Sequence, residues 1–157
     1  MDKKVCVIGG GYWGKNHIRI LNQLGTLNGI VETNRSLRES LSINYPNVPC
    51  YKNVERALEE NFDGFTIATP AETHHEIAKK IIMAGKHVLI EKPMALSVSD
   101  SEELVSLSID FGVNLMVGHV LLFHPAVRKI KEIIEKGSIG DLQYMYSNRL
   151  NLGKVRT

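Results

Sequence analysis

No stretch of this chain approaches the roughly 20 consecutive apolar residues of a membrane-spanning helix, and the amino terminus runs from Met1-Asp2-Lys3-Lys4 straight into a short apolar run. Neither a secretory leader nor a membrane partner is expected, and the expected location is the cytoplasm. Cysteine is scarce too: Cys6 and Cys50 are far apart, and Cys6 lies within an apolar run. Both read as reduced thiols, and without His/Cys ligand spacing no metal is expected. Charge is nearly balanced, with 19 Lys and Arg against 17 Asp and Glu. No basic run is interleaved with aromatics, so no nucleic-acid partner is expected. The imbalance is local, because from Asp141 to Thr157 one acid faces Arg149, Lys154 and Arg156, an excess equal to the net charge of +2. Repeats, low-complexity tracts and flexible linkers are absent. A chain of 157 residues makes about one domain, burying roughly 70% of its unfolded surface.

What is present is an alternation of short apolar runs with segments of helical period, the pattern of parallel strands joined by crossover helices. Strands are expected near Lys3 to Gly9, Leu27 to Glu32, Val48 to Tyr51, Gly64 to Ala68, His87 to Glu91 and Asn114 to Gly118. Six such strands predict an α/β fold, a doubly wound parallel sheet. Thr73-His74-His75-Glu76 and Ser99-Asp100-Ser101-Glu102 match the Ser/Thr-x-x-Glu capping box, each opening a helix. Ile77, Ile81 and Ile82, then Leu104, Leu107 and Phe111, are expected to face inward. Pro125 suits a first helical position, followed by a buried stripe of Val127, Ile130, Ile133 and Ile134 that Gly137 ends. The expected division is a dinucleotide-binding domain over residues 1–140 and a new element over 141–157, with strand-forming residues from Leu142 to Leu150.

The first strand runs into Gly9-Gly10-Gly11-Tyr12-Trp13-Gly14, a Gly-x-Gly-x-x-Gly turn. Three fixed glycines occur by chance in roughly one chain of this size in twenty; the strand before and the helix after make the match specific. Gly9 allows the tight turn, Gly11 leaves room for a pyrophosphate, and Gly14 lets the helix pack closely on the strand. The helix's free N–H groups and dipole then favour the anionic diphosphate. Glu32, ending the second strand, is placed to accept hydrogen bonds from the adenosine ribose, which predicts NAD over NADP. Arg35, just beyond, is a residue type that reaches a 2'-phosphate, and a solvated strand-end acid is the plain alternative for Glu32.

Glu91-Lys92-Pro93 closes the fifth strand at the carboxyl edge, where open α/β folds bind ligands. A lysine acting there as a base near neutral pH must have its pKa lowered from about 10.4 toward 7 or 8, which partial burial and a cationic nicotinamide both favour. A structural lysine before a turn proline is the alternative reading.

In order, the glycine turn, Ala68-Thr69-Pro70, His74-His75, Glu91-Lys92-Pro93 and Gly118-His119 make the chain resemble the Gfo/Idh/MocA family of oxidoreductases. The resemblance covers essentially the whole chain and implies a Rossmann NAD(P)-binding fold. It also implies that Lys92 is the catalytic residue beside the nicotinamide, relaying the hydroxyl proton, and that Tyr12, Trp13, Thr69, Pro70, His74 and Glu91 belong to the cofactor groove.

Phe123-His124-Pro125-Ala126-Val127-Arg128 and Ser147-Asn148-Arg149-Leu150-Asn151-Leu152-Gly153 are similar to the branch of the family that oxidises the 3-hydroxyl of UDP-N-acetylhexosamines or their uronic acids. That similarity implies substrate contacts at His119, His124, Arg149 and Asn151; His124 reads equally as a helix cap and His119 as a buried, hydrogen-bonded histidine. Family members continue into an open antiparallel sheet with an Asp-x-x-x-His helix. Residues 141–157 then correspond to the start of a truncated α+β C-terminal domain, belonging to a fragment, a shortened reading frame or a protein completed by a separate chain. The implied function is an NAD-dependent sugar dehydrogenase with a nucleotide sugar as partner, the full-length version forming a homo-oligomer. A polyol or aldose dehydrogenase and a non-catalytic NAD-binding module are the alternatives.

Overall fold

Val5-Cys6-Val7-Ile8 forms the first strand, β1, with Cys6 and Val7 fully buried and Ile8 2% exposed. An apolar run covered on both faces belongs at the centre of a parallel sheet, and that is where the computed structural model, which describes residues 3–148 and 150, puts it. The other strands are β2 (Leu27–Val31), β3 (Cys50–Tyr51), β4 (Gly64–Ile67), β5 (His87–Ile90) and β6 (Leu115–Val117). All pairs are parallel, in the order β3-β2-β1-β4-β5-β6. The order reverses between β2 and β4 around β1, and this switch point opens a crevice at the carboxyl edge.

Helices cover both faces. Val7 and Ile30 pack with Ile18 of α1 (Gly14–Gln23) and Leu41 of α2 (Arg35–Asn44). Cys6, Ile8 and Ile67 pack instead with α3 (Val54–Leu58), α4 (His74–Met83) and α5 (Val98–Asp110) through Ala57, Ile81 and Leu104. Phe62 and Phe65 meet edge to face in this second layer, 5.5 Å between ring centroids. Among the described residues no helix is long and apolar enough to cross a membrane.

Burial pushes the Cys6 thiol well above its ordinary range, whereas Cys50 is only half-buried. An aromatic disulfide reagent is expected to consume one thiol quickly in the folded protein and the second only on unfolding, since the thiolate is the reactive species. Two fast equivalents would contradict this packing.

The chain separates into two compact units, Met1–His119 and Val120–Thr157. In the second, a 3-10 turn (Val120–Phe123) precedes α6 (Pro125–Glu135), with Pro125 in the first turn as expected. His124 caps this helix, its Nδ1 accepting from the Ala126 N–H at 3.2 Å. Arg128 lies over the Phe123 ring, 5.5 Å from its centroid.

Several local expectations need correction. Thr73 does not form a capping box: it ends a 3-10 turn (Ala71–Thr73) already in helical conformation, and its hydroxyl donates to the Pro70 carbonyl at 2.8 Å. The second cap is Ser97, two residues before the expected Ser99, and its Oγ accepts from the Asp100 N–H at 3.0 Å. Phe111 follows α5 as its C-cap residue and is 43% exposed. The stripe of α6 is present by spacing but is not buried: Val127 and Ile130 are exposed, and Ile133 and Ile134 are half-buried. Helical period identifies an apolar face without supplying a layer to cover it. Residues 142–148, where a strand was expected to run on to Leu150, make no ladder; a strand is defined by a paired neighbour.

Candidate cofactor and catalytic site

The glycine turn occupies the crevice at the end of β1. Gly9 has φ +93°, outside the range comfortable for other residues, and its N–H donates to the Val31 carbonyl at 2.8 Å. A Cβ on Gly14 would stand 1.8 Å from the Gly9 carbonyl oxygen, so α1 packs directly on the turn. A Cβ on Gly11 would meet nothing within 4 Å; it faces open space. Trp13 precedes α1 without any side-chain cap; the Lys15 and Asn16 N–H groups donate to the Gly11 and Trp13 carbonyls at 3.1 and 2.9 Å, which leaves the Gly14 N–H as the one at the helix start free to meet a ligand. Tyr12 and Trp13 stand exposed beside the turn, their rings edge to face with 6.0 Å between centroids.

From this turn a groove of about 580 Å³ runs over the sheet edge, within the size of small-molecule sites. Gly9, Gly11, Glu32, Thr69 and Pro70 line it, and Asn53, Ile77, Glu55 and Lys80 form its far end. There the Lys80 ammonium donates to Glu55 at 2.6 Å and holds that carboxyl below the usual carboxylate range.

Glu32 is 8% exposed, which removes the reading of a solvated acid. Its Oε2 accepts from the Gly10 N–H and its Oε1 from the Asn34 N–H, both at 2.8 Å. A carboxylate has about four acceptor positions, so two are left for ribose hydroxyls while the backbone bonds fix the group. Arg35 instead pairs with Glu39 at 2.8 Å and is 84% exposed. Arg38, which no sequence motif singled out, donates to the carbonyls of Glu32 and Thr33 at 2.8 and 3.2 Å.

His74 is 1% exposed and stands behind the groove wall. Its Nδ1 lies 2.7 Å from the Pro93 carbonyl and its Nε2 2.9 Å from the Thr69 carbonyl. The ring therefore joins Thr69, a wall of the groove, to the backbone immediately after Lys92. Glu91 lies 2.7 Å from the Nε2 of His17, a residue of α1 not anticipated from sequence. The signal was available in principle: a polar side chain beside the fully buried Ile18, three residues past Gly14.

Lys92 is exposed at this edge rather than partly buried, because its side chain leaves from the turn after β5 and not from the sheet. His119 is likewise exposed rather than buried. Arg149 and Asn151 lie outside the described residues. A second hollow of about 620 Å³ follows Met94 to Val98 and the outer side of α5; it is open, and none of the expected site residues lines it.

A parallel sheet of this order, with a glycine turn at its switch point and an acid ending the second strand, defines a dinucleotide-binding domain. Residues 3–119 match the model of the oxidoreductase family with an NAD-binding Rossmann fold, and the chain belongs to this Gfo/Idh/MocA family. It is 27% identical, over 96% of its length, to UDP-N-acetylglucosamine 3-dehydrogenase of Acidithiobacillus ferrooxidans, and spans 46% of that enzyme. Identity is 31% to 2,7-anhydro-N-acetylneuraminate hydratase of Mediterraneibacter gnavus, covering 92% of this chain and 38% of that protein. The Bordetella pertussis dehydrogenase WlbA, solved with NADH and UDP-GlcNAcA, superposes with a TM-score of 0.83 at 28% identity, covering 89% of this chain and 44% of its own. The chain thus spans less than half the length of these relatives.

Proposed function

We propose that this chain is the nucleotide-binding half of an NAD-dependent sugar dehydrogenase acting on C3 of a UDP-linked N-acetylhexosamine or its uronic acid. The observation that carries the proposal is the His74 bridge, which ties the Lys92 corner to the wall of the groove beside the glycine turn. The residues fit a dinucleotide: the uncapped start of α1 and the open side of Gly11 suit the diphosphate, and Glu32 suits a ribose. When bound, the nicotinamide supplies the hydride acceptor. Lys92 Nζ, acting from its neutral amine form, takes the proton of the substrate hydroxyl as its carbinol carbon is oxidised, and Thr69 and Pro70 wall the groove. The substrate assignment is supported by the similarity to enzymes of UDP-N-acetylglucosamine and its uronate, with His119, His124, Arg149 and Asn151 as the proposed contacts.

Trp13, the only tryptophan, sits in the turn and reports binding directly. Titration with NADH is expected to give saturable energy transfer from Trp13 to the nicotinamide, and NADPH should bind at least tenfold more weakly because its 2'-phosphate would face the Glu32 carboxylate. Absence of transfer with either cofactor, in protein shown to be folded, would overturn the proposal. Turnover dependent on a UDP-sugar and absent with inositol would establish the substrate class; the reverse would favour a polyol enzyme.

A further inference from the structure

We propose that His17 is a positioning residue for Lys92, acting through the Glu91 carboxylate; the reading rests on the role of Lys92 given above. Three elements converge on that carboxylate. From α1, His17 Nε2 approaches Oε1 at 2.7 Å, and an ionised carboxylate only accepts, so this ring nitrogen carries the proton. From the corner itself, the Lys92 N–H donates to Oε2 at 3.3 Å. From the end of β6, Gly118 presents bare backbone: a Cβ there would lie 3.1 Å from Oε2 and 3.2 Å from Cδ.

The carboxylate is therefore seated over Gly118, held by His17 and bonded to the peptide that bears Lys92. The seat itself is rigid, since the Glu91 N–H donates to the Ile67 carbonyl at 2.9 Å and the Gly118 N–H to the Ile90 carbonyl at 2.8 Å. The His17 and Glu91 side chains are only 25% and 13% exposed. A largely buried pair of this kind contributes little net stability, because desolvation opposes its attraction. Its effect is to fix where the carboxylate stands, and with it the backbone of the next residue. Glu91 thus links α1, whose start faces the cofactor diphosphate, to the residue that handles the proton.

The test reads Lys92 without turnover. Lysines of the protein are reductively methylated with 13C-formaldehyde, and the Lys92 dimethylamine resonance is assigned as the one lost in Lys92→Arg. His17→Leu is expected to shift this resonance by more than its linewidth while other lysine resonances stay in place. His17→Gln, whose amide nitrogen reaches the same carboxylate oxygen, is expected to restore it. A Lys92 resonance coincident in His17→Leu and wild type, or displaced equally in the Leu and Gln variants, would overturn the proposal. If His17→Leu fails to fold, Gly118→Ala crowds the same carboxylate from the opposite side: a shifted Lys92 resonance supports the role, and an unshifted one overturns it. Failure of the dehydrogenase reading is separately visible, as absence of NADH binding by the wild-type protein.

Discussion

Gly14→Ala is expected to weaken NADH binding at least 100-fold and to lower thermal stability, whereas Gly11→Ala should weaken binding without lowering stability. At Gly14 the added carbon would sit 1.8 Å from the Gly9 carbonyl oxygen and 2.7 Å from its carbonyl carbon. Both partners are backbone, so no side chain can swing aside. The turn cannot retreat either, because the Gly9 N–H is bonded to the Val31 carbonyl, and Gly9 lies so close to Ala68 that its own Cβ would stand 2.8 Å from the Ala68 oxygen. The helix must move away instead, with an overpacking cost of about 1–3 kcal/mol or more, and it takes with it the helix start proposed to face the diphosphate. At Gly11 a methyl group meets no protein atom within 4 Å but enters the groove. Trp13 energy transfer and thermal melts of both variants check the pair. Gly14→Ala binding NADH as wild type would show that α1 does not need this close approach.

The centre of the sheet was legible because Val5-Cys6-Val7-Ile8 is a continuous apolar run, and burial on both faces demands that composition. The turn was legible because each of its glycines answers a local steric requirement. The capping motifs were less reliable for a physical reason: Ser/Thr-x-x-Glu records side-chain types, while capping requires an extended backbone at the cap. Thr73 has φ −100° and ψ −7°, whereas Ser97 has φ −124° and ψ 157°. Hidden altogether were the contacts between residues distant in sequence, His17 with Glu91 and His74 with Thr69 and Pro93. No periodicity announces such pairs, which exist only once β1, β4 and β5 lie side by side. His74 was expected to line the cofactor groove; in the structure it lies behind the wall, its two ring nitrogens facing the carbonyl oxygens of Pro93 and Thr69.

In an enzyme uniting this domain with the remainder that its relatives carry, Lys92→Met should lower kcat by about 10² to 10⁴-fold, the range of a single acid–base group, and leave NADH affinity nearly unchanged. Methionine keeps an unbranched side chain of similar reach and removes only the proton-carrying atom. The corner should keep its shape, because its supports are not the lysine side chain: His74 holds the Pro93 carbonyl, and the Glu91 carboxylate meets His17 and the Lys92 N–H. Lys92 is exposed, so its replacement leaves no cavity, and thermal stability should shift by less than about 0.5 kcal/mol. An unchanged cofactor affinity with lost turnover isolates the proton step, whereas a loss of NADH binding would make Lys92 a cofactor contact alone. Wild-type turnover would remove it from the mechanism. The contrast with Gly14→Ala is then diagnostic, because one substitution should weaken binding by moving backbone and the other should slow chemistry while the backbone stays where it is.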